Sequence, residues 1–328
     1  MIISRTPMRI SLAGGGSDLS AYYTAKPGMV VSTAIDKYIY ISVNRNNIFE
    51  DVIRICYSKT EIVRRVEDIE HNIIREALKL TGIQGGIEVV YMGDIPVGSA
   101  GVGLGSSSSL AVGLLNALHA FAGRHVSADR LAEEACRIEI QTLGHPIGKQ
   151  DQYIAAFGGI QCIQFNPDES VFVDPIICSH ALKQALERRL MLFYTGIDRI
   201  SSDVLAEQKA NTRRHMDDLD AMVALAKDMR QALIEGRLDA VGELLHDNWT
   251  RKKRLSSGIT NPEIDLRYER ARAAGAIGGK IAGAGGGGFM LLYCPEERQE
   301  AVRAALSDLK ETRFSFEPQG SKIIYVSR

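Results

Sequence analysis

Apolar positions along the chain recur with the period of a strand in some segments and with that of a helix in others. Apolar runs and alternations predict strands over residues 2–3, 10–12, 30–43, 52–57, 87–92, 190–195, 280–282, 289–294 and 322–326. Apolar residues three and four positions apart predict helices over residues 67–80, 107–121, 127–143, 203–236, 238–255, 261–274 and 295–312. Ser127 is the expected N-cap of the third helix. Because the predicted strands and helices alternate irregularly, an α+β fold in two lobes is favoured over a doubly wound parallel sheet.

Composition narrows the class of protein. The chain has 328 residues, of which 45% are apolar and 24% charged, as is typical of a soluble globular protein of one large or two ordinary domains. The formal net charge of −1 argues against binding to nucleic acid or to a membrane surface. Five scattered cysteines without a C-x-x-C pair predict reduced thiols in a cytoplasmic protein. Residues 1–12 contain too short an apolar stretch for a signal peptide or a membrane span.

Glycines gather in three segments, residues 14–16, 98–105 and 283–288. The second segment runs into serines and then into a predicted apolar helix. Backbone N–H groups, hydroxyl groups and the positive end of the helix dipole would all face one point there, which predicts a di- or triphosphate site. A flexible surface loop is the alternative interpretation. The segment is not a Walker A loop, because no Lys follows in the required position.

The third glycine segment fits the pattern G-x-G-x-x-G. A strand follows at Phe289 instead of the helix that a dinucleotide site requires, so an NAD-dependent enzyme is disfavoured. Two interpretations remain: a close approach of the backbone to a ligand from the second lobe, or a tight crossing against another element.

Three carboxylates are candidates for the chemistry. Glu139 lies on a largely apolar helix face, where it would hold either Mg²⁺ or a salt-bridge partner. Asp151 follows the turn at Gly148 and is either a base for a hydroxyl nucleophile or a helix cap. Asp18 comes two residues after the first glycine segment, where it either accepts hydrogen bonds from substrate hydroxyls or closes a turn.

Taken together, these segments resemble the three ordered motifs of the GHMP kinase superfamily of galactokinase, homoserine, mevalonate and phosphomevalonate kinases. The motifs correspond to residues 6–18, 96–108 and 280–289, and the resemblance covers nearly the whole chain. It implies a two-lobed fold, with a lobe like domain 2 of ribosomal protein S5 over residues 1–180 and a ferredoxin-like α/β lobe over residues 181–328. One departure stands out: two additional residues lie between Pro96 and Gly103.

Within the superfamily, the chain is most similar to bacterial kinases of D-glycero-D-manno-heptose 7-phosphate. The start of the chain, the stretch 148–153, residues 194–199 and Trp249 with the lysines that follow it carry this narrower resemblance. It implies an ATP-dependent phosphotransferase that acts on O1 and makes the 1,7-bisphosphate for nucleotide-activated heptose, as used in lipopolysaccharide, capsule or S-layer glycans. A kinase for fucose, galactose or mevalonate, and a non-catalytic nucleotide and sugar sensor on the same fold, are the alternatives.

The resemblance also implies roles for individual residues. Asp151 matches the catalytic aspartate and Arg9 the residue that lowers the pKa of the nucleophile, while Ser107 and Glu139 match the Mg²⁺ ligands. The residues expected to bind ATP are Pro96, Gly101, Gly103, Leu104, Gly105, Ser106, Ser107 and Ser108. The residues expected to bind the sugar are Gly15, Gly16, Ser17, Asp18, Lys149, Arg199, Gly285 and Gly286. Expected partners are ATP and a sugar or sugar phosphate, with neither nucleic acid nor membrane, and a homodimer is allowed.

A substrate that already carries a phosphate needs a further cationic pocket. Lys149, Arg199, Lys252 and Lys253 are the candidates. The basic run 251–254 lies on a predicted helix, where a solvated face is the favoured interpretation.

Overall fold

The computed structural model describes residues 1–46, 51–95, 103–197 and 201–327, apart from the side chain of Ser201. Its strands build two sheets. The strands are β1 (Ile2–Ala13), β2 (Gly28–Arg45), β3 (Ile53–Cys56), β4 (Thr60–Val63), β5 (Ile87–Gly93), β6 (Ile160–Phe165), β7 (Val171–Pro175), β8 (Leu190–Tyr194), β9 (Gly278–Ile281), β10 (Phe289–Tyr293), β11 (Lys310–Glu311) and β12 (Lys322–Val326).

The first sheet has the order β12-β1-β2-β5-β3-β4, and β6 with β7 extends from the first half of β2. The pairing is antiparallel except between β3 and β5. The second sheet has the antiparallel order β11-β8-β10-β9. The end of the chain therefore returns to the first sheet, where β12 pairs with β1.

Helices cover both sheets, and several are interrupted by turns of another helical type. They are α1 (Ser20–Tyr23), α2 (Asn72–Thr81), α3 (Ser106–Phe121), α4 (Ala128–Cys136), α5 (Gln150–Phe157), α6 (His180–Arg189), α7 (Ser201–Asn211), α8 (Met216–Glu235), α9 (Leu238–Lys252), α10 (Pro262–Ala273) and α11 (Gln299–Ala305). Short 3₁₀ turns lie at Val66–Asp68, Thr212–His215, Ser257–Ile259 and Glu296–Arg298, and a π-helical segment lies at Arg137–Thr142.

Helix α3 is buried along most of its length, which explains its apolar sequence. Its neighbours are α2, α4 and α5 together with the face of β1 and β2. Two hydrogen bonds fix it on β1: Ser4 Oγ donates to Gly113 O at 2.7 Å, and Ser109 Oγ donates to Pro7 O at 2.8 Å. The start of α3 is thereby held at a defined point beside β1.

The structure confirms most predicted elements and corrects several. The two short pieces predicted before residue 13 are one strand, β1, and the segment 203–236 is two helices separated by the turn Thr212–His215. The predicted helix over 295–312 is wrong beyond Ala305, because Lys310 and Glu311 instead pair with β8. Strands β4, β6 and β7 and helices α1, α5 and α6 were not predicted. Ser127 does cap α4, since its side chain accepts a hydrogen bond from Arg130 N.

The α+β class and the two-lobed arrangement are confirmed, whereas the boundary between residues 180 and 181 stays a prediction. None of the helices in the described ranges combines the length and the apolar character needed to cross a bilayer.

Candidate active site

Arg9 joins three segments that lie far apart in the sequence. Its buried side chain on β1 donates from Nε to Asp151 Oδ1 at 2.6 Å and from Nη2 to Asp151 Oδ2 at 2.5 Å. Its Nη1 donates to Gly103 O at 2.5 Å, and its backbone N donates to Leu104 O at 2.9 Å. A two-point pair between Arg and a carboxylate fixes orientation as well as position. The Asp151 carboxylate is therefore held beside the segment that enters α3.

The N-terminus of α3 is arranged to receive an anion. None of the described side chains caps this helix, and Gly105 precedes it with a φ of +78°. Amides of an uncapped first turn and the helix dipole attract negative charge. Ser107 in this turn is exposed, while Ser108 is buried. A β-carbon placed on Gly105 would lie 3.3 Å from Asp151 Oδ2, so an anion bound here would lie next to the carboxylate.

Glu139 is a fully buried carboxylate that lies against the same turn. Its Oε1 accepts from Ser107 Oγ at 3.0 Å and its Oε2 from Gln152 Nε2 at 2.6 Å. Burial raises its pKa to about 7, although hydrogen bonds from Ser108, Gln152 and Ser107 act in the opposite direction. The predicted α-helix over 127–143 is corrected here, because α4 ends at Cys136 and Glu139 lies in the π-helical segment.

The donor set around Glu139 fits Mg²⁺. It offers a carboxylate and the Ser107 hydroxyl, which are the oxygen ligands that a hard cation prefers, and none of the three donors to the carboxylate is a cation. Within the described residues, no group of three or more His, Cys, Asp and Glu side chains could hold a metal ion. A divalent cation at Glu139 would therefore take most of its ligands from water and phosphate, as Mg²⁺ does.

Asp18 connects the loop after β1 to the turn before α5. Its Oδ1 accepts from Gly16 N at 2.8 Å, which closes the turn of this loop, and its Oδ2 accepts at 3.3 Å from the N–H of Gln150, the first residue of α5. The side chain is buried. Burial raises the pKa of Asp18, and the hydrogen bond from Gly16 opposes this shift. Gly148 is needed for this arrangement, because a β-carbon there would overlap the Asp18 carboxylate.

Asp18 and Asp151 line one cavity, which is partly open to solvent. Its charged walls also include Arg9, Lys252 and Lys280. Several buried polar atoms on the same walls have no hydrogen-bond partner among the described residues, namely Ser11 Oγ, Gln150 Oε1 and both amide atoms of Gln208. Buried polar atoms are normally paired, so this cavity is suited to a ligand with many hydroxyl groups.

The two lysines come from different parts of the second half of the chain. Lys252 is the last residue of α9 and is 4% exposed, so the solvated-face interpretation of residues 251–254 is wrong for this residue. Lys280 on β9 donates from Nζ to Ser11 O at 2.8 Å. Burial lowers the pKa of Lys280 well below its ordinary value, and Lys252 and Arg9 add to this shift. Lys253, by contrast, forms an ion pair with Asp265 at 3.2 Å.

The third glycine segment serves a close backbone crossing and also lines the cavity. A β-carbon on Gly283 would lie 2.7 Å from the α-carbon of Gly103, so the second and third motifs pack backbone against backbone. Gly283 and Ala284 line the cavity. Gly285 and Gly286, which were expected to bind the sugar, instead pack on Ile259, whose carbonyl accepts from Gly286 N at 2.6 Å.

Two further predicted sugar-binding residues have structural partners. Ser17 Oγ donates to the carbonyl groups of Gly14 and Met29. The Lys149 ammonium forms an ion pair with Glu169 and lies 4.7 Å from the ring centre of Tyr23. Gly15 and Gly16 do line the cavity. The expected positions Pro96, Gly101 and Arg199 lie outside the described residues.

Several residues that line the cavity were not predicted from the sequence. Gln150 and Lys280 lie inside segments that carry the family resemblance, which is the signal that could have identified them. Ser11 also lies in the first motif. Leu205 and Gln208 on α7 lie in no such segment, so only the fold brings them to the cavity.

Two models of one protein family match the chain. The model described as "GHMP kinases N terminal domain" matches residues 61–159, and the model described as "GHMP kinases C terminal" matches residues 229–311. A D-glycero-alpha-D-manno-heptose 7-phosphate kinase of Campylobacter jejuni is 31% identical to the chain, and the alignment covers 98% of both proteins. An L-fucokinase/L-fucose-1-P guanylyltransferase of Bacteroides fragilis is 28% identical over 92% of the chain, which spans 35% of that longer protein.

A solved structure has the same fold over the full length of both chains. It is a D-glycero-D-manno-heptose 1-phosphate kinase of Bacteroides thetaiotaomicron, with a TM-score of 0.82 and 24% sequence identity.

Proposed function

Since the chain belongs to the GHMP kinase family, we propose that it is an ATP-dependent sugar kinase that transfers the γ-phosphate to O1 of D-glycero-D-manno-heptose 7-phosphate. The product is the 1,7-bisphosphate, a precursor for activated heptose in surface polysaccharides. The observation that carries the proposal is the Asp151 carboxylate, which Arg9 holds between the uncapped start of α3 and a polar cavity. A phosphate donor and an alcohol acceptor would meet at this carboxylate.

The nucleotide phosphates bind at the first turn of α3, where Gly103, Gly105 and residues 106–108 surround them. Backbone amides and the helix dipole supply the attraction. Arg9 lies at the junction of this loop with Asp151 and neutralises charge that develops during transfer.

Ser107 and Glu139 would hold Mg²⁺, which would neutralise charge on the transferring phosphoryl group. To serve as a ligand, the Glu139 carboxylate would have to be ionised. Gln152 keeps Oε2 oriented through its 2.6 Å hydrogen bond, which leaves Oε1 directed to Ser107.

Asp151 orients the acceptor hydroxyl and accepts its proton as the new O–P bond forms and the bond between the γ-phosphorus and the bridging oxygen of the leaving ADP breaks. The bidentate contact with Arg9 fixes the plane of the carboxylate. Phosphoryl transfer demands little covalent chemistry of the protein, so positioning and charge neutralisation provide most of the acceleration.

The heptose ring occupies the cavity, where Asp18 and the unpaired polar atoms of Ser11 and Gln150 meet its hydroxyl groups. Lys252 gives this cavity a cationic group that suits a substrate with a phosphate of its own. The kinship with the heptose 7-phosphate kinase of Campylobacter jejuni supports the choice of that sugar.

A kinase of an unphosphorylated sugar such as fucose is the second candidate, because the fucokinase of Bacteroides fragilis also aligns over most of the chain. In that case, Lys252 would balance the negative charge of Asp18 and would not meet a substrate phosphate.

A phosphorylation screen tests the proposal. Purified protein with Mg-ATP is offered heptose 7-phosphate, heptose 1-phosphate, mannose, fucose, galactose and mevalonate, and the position of the new phosphate is determined by ³¹P NMR. We expect heptose 7-phosphate to give the highest kcat/KM and a phosphate on O1. Turnover of fucose alone would establish the second candidate, and ATP binding without turnover of any acceptor would indicate a sensor.

A further inference from the structure

Gln208 is a polar side chain with no partner in the wall of the acceptor cavity. It lies on α7, is 2% exposed, and neither its amide nitrogen nor its amide oxygen has a hydrogen-bond partner among the described residues. An amide that is buried in this way loses its bonds to water without replacement, so such groups in native proteins call for an explanation.

The position of Gln208 is fixed by its neighbour on the helix. The Glu207 carboxylate accepts from Ser256 Oγ at 2.8 Å, from Ser257 N at 2.9 Å and from Ser257 Oγ at 3.1 Å. These serines follow the end of α9, which carries Lys252 into the same cavity. Helix α7 is thus anchored to the segment that follows α9, and the unpaired amide of Gln208 is a buried group and not a loose surface group.

Gln208 faces the acceptor side of the cavity. A β-carbon placed on Gly16 would lie 2.5 Å from its Nε2, and Gly16 belongs to the loop that Asp18 closes. Leu205, one turn earlier on α7, lines the same wall. The Gln208 amide therefore lies beside the loop that contains Asp18, the residue expected to meet sugar hydroxyls.

We propose that Gln208 hydrogen-bonds the acceptor and determines which polyol is phosphorylated. Its amide nitrogen donates to one hydroxyl oxygen while its amide oxygen accepts from a neighbouring hydroxyl, so the preferred ligand class is a polyol with adjacent hydroxyl groups. This inference rests on the proposed function. A site built to bond a hydroxyl rejects an analogue that lacks it much more strongly than an apolar pocket does.

Three variants test the inference. Gln208→Leu removes both polar atoms, Gln208→Glu keeps only acceptor oxygens, and Gln231→Leu on the exposed face of α8 is the control. Each is assayed for kcat/KM with the acceptor that the wild type prefers and with its single-deoxy analogues, and for the KM of ATP. Thermal unfolding of each variant checks that it is folded.

We expect Gln208→Leu to lower kcat/KM for the acceptor about 10- to 100-fold, mainly through KM, with an unchanged KM for ATP. For one or two particular deoxy analogues, the ratio of kcat/KM for the acceptor to kcat/KM for the analogue should fall to near unity. A merely structural role of Gln208 would not cause this change. Gln208→Glu should keep discrimination at only one of these hydroxyls, and it carries the test if the Leu variant is unfolded.

If both Gln208 variants rejected every deoxy analogue as strongly as the wild type does, the inference would be overturned. The amide would then bind only water. Its failure can be told from a failure of the proposed function, because the wild type itself must first phosphorylate a polyol. If the wild type phosphorylates none, the proposed function fails and the inference falls with it.

Discussion

Arg9 and Asp151 form a two-point ion pair, with 2.6 Å from Nε to Oδ1 and 2.5 Å from Nη2 to Oδ2, across 142 positions of sequence. The same guanidinium group reaches Gly103 O, so one side chain joins β1, the segment before α3 and the first turn of α5. Arg9 is 5% and Asp151 22% exposed at the side chain, which leaves the carboxylate access to the cavity. The acid that we expect to meet the acceptor is thus oriented by the residue that also contacts the phosphate loop.

Replacing Arg9 with Lys should lower kcat about 10- to 100-fold, because a single ammonium group cannot reproduce the planar two-point contact. The loss in Arg9→Lys and the loss in Asp151→Asn should be far from additive in the double variant, since both act through one pair. Arg5→Lys is the matched control, as Arg5 lies on the same strand and pairs with Glu317. Additive effects measured in initial rates would show that the two residues act independently.

The buried carboxylate of Glu139 should make stability depend on pH. Its pKa in the folded protein is about 7, above its ordinary value of 4.5, so the group favours folding below pH 4.5 and this contribution is lost as the pH rises towards 7. In the metal-free wild type, the free energy of unfolding should therefore fall by about 3 kcal/mol across this pH window. The metal-free Glu139→Gln variant should not show this fall. Urea unfolding at several pH values measures it, with exposed Glu133→Gln as the control. Parallel pH curves for wild type and Glu139→Gln would contradict the account.

The same raised pKa predicts that protons compete with Mg²⁺. Below pH 7 an increasing share of Glu139 is protonated, so the Mg²⁺ concentration needed for half-maximal activity should rise, approaching tenfold per pH unit. Above pH 8 it should level off. Kinetic titrations with Mg²⁺ between pH 5.5 and pH 8.5 check this, and an Mg²⁺ requirement that is constant across that range would exclude Glu139 as a ligand.

Asp18 and Gly148 should behave as one unit. Asp18→Asn should raise the KM for the sugar about 10- to 100-fold through loss of a charged hydrogen bond, with little change in the KM for ATP. Gly148→Ala should do the same, because its new methyl group displaces the Asp18 carboxylate. Gly144→Ala is the control, since a β-carbon there meets no atom within 4 Å, although its φ of +67° costs about 1 kcal/mol of stability. A Gly148→Ala enzyme with a normal KM for the sugar would show that Gly148 does not act through Asp18.

Much of this arrangement could be predicted from the sequence where the pattern is local. The buried helix α3 and the strand β10 after Gly288 are apolar runs of characteristic length, and Ser127 is a recognisable cap. Strands β6 and β7 could not be identified in this way, because their pairing with β2 and with each other is a matter of tertiary contact.

The candidate site likewise contains residues that the sequence identifies and residues that it does not. Arg9, Asp18 and Asp151 lie in segments with a family pattern, and the structure brings all three to one cavity. Lys149 lies in such a segment as well, yet its ammonium group points to Glu169. Charge along the sequence does not specify which cation is buried: Lys252 lines the cavity, while its neighbour Lys253 pairs with Asp265.

The most direct test replaces the Asp151 carboxylate. Asp151→Asn should bind a non-hydrolysable ATP analogue within about twofold of the wild type by calorimetry, while kcat for the preferred sugar falls about 100- to 10,000-fold, because the acceptor loses its base. Asp129→Asn, an exposed aspartate in the first turn of α4, is the matched control. Full turnover in folded Asp151→Asn protein would contradict the account.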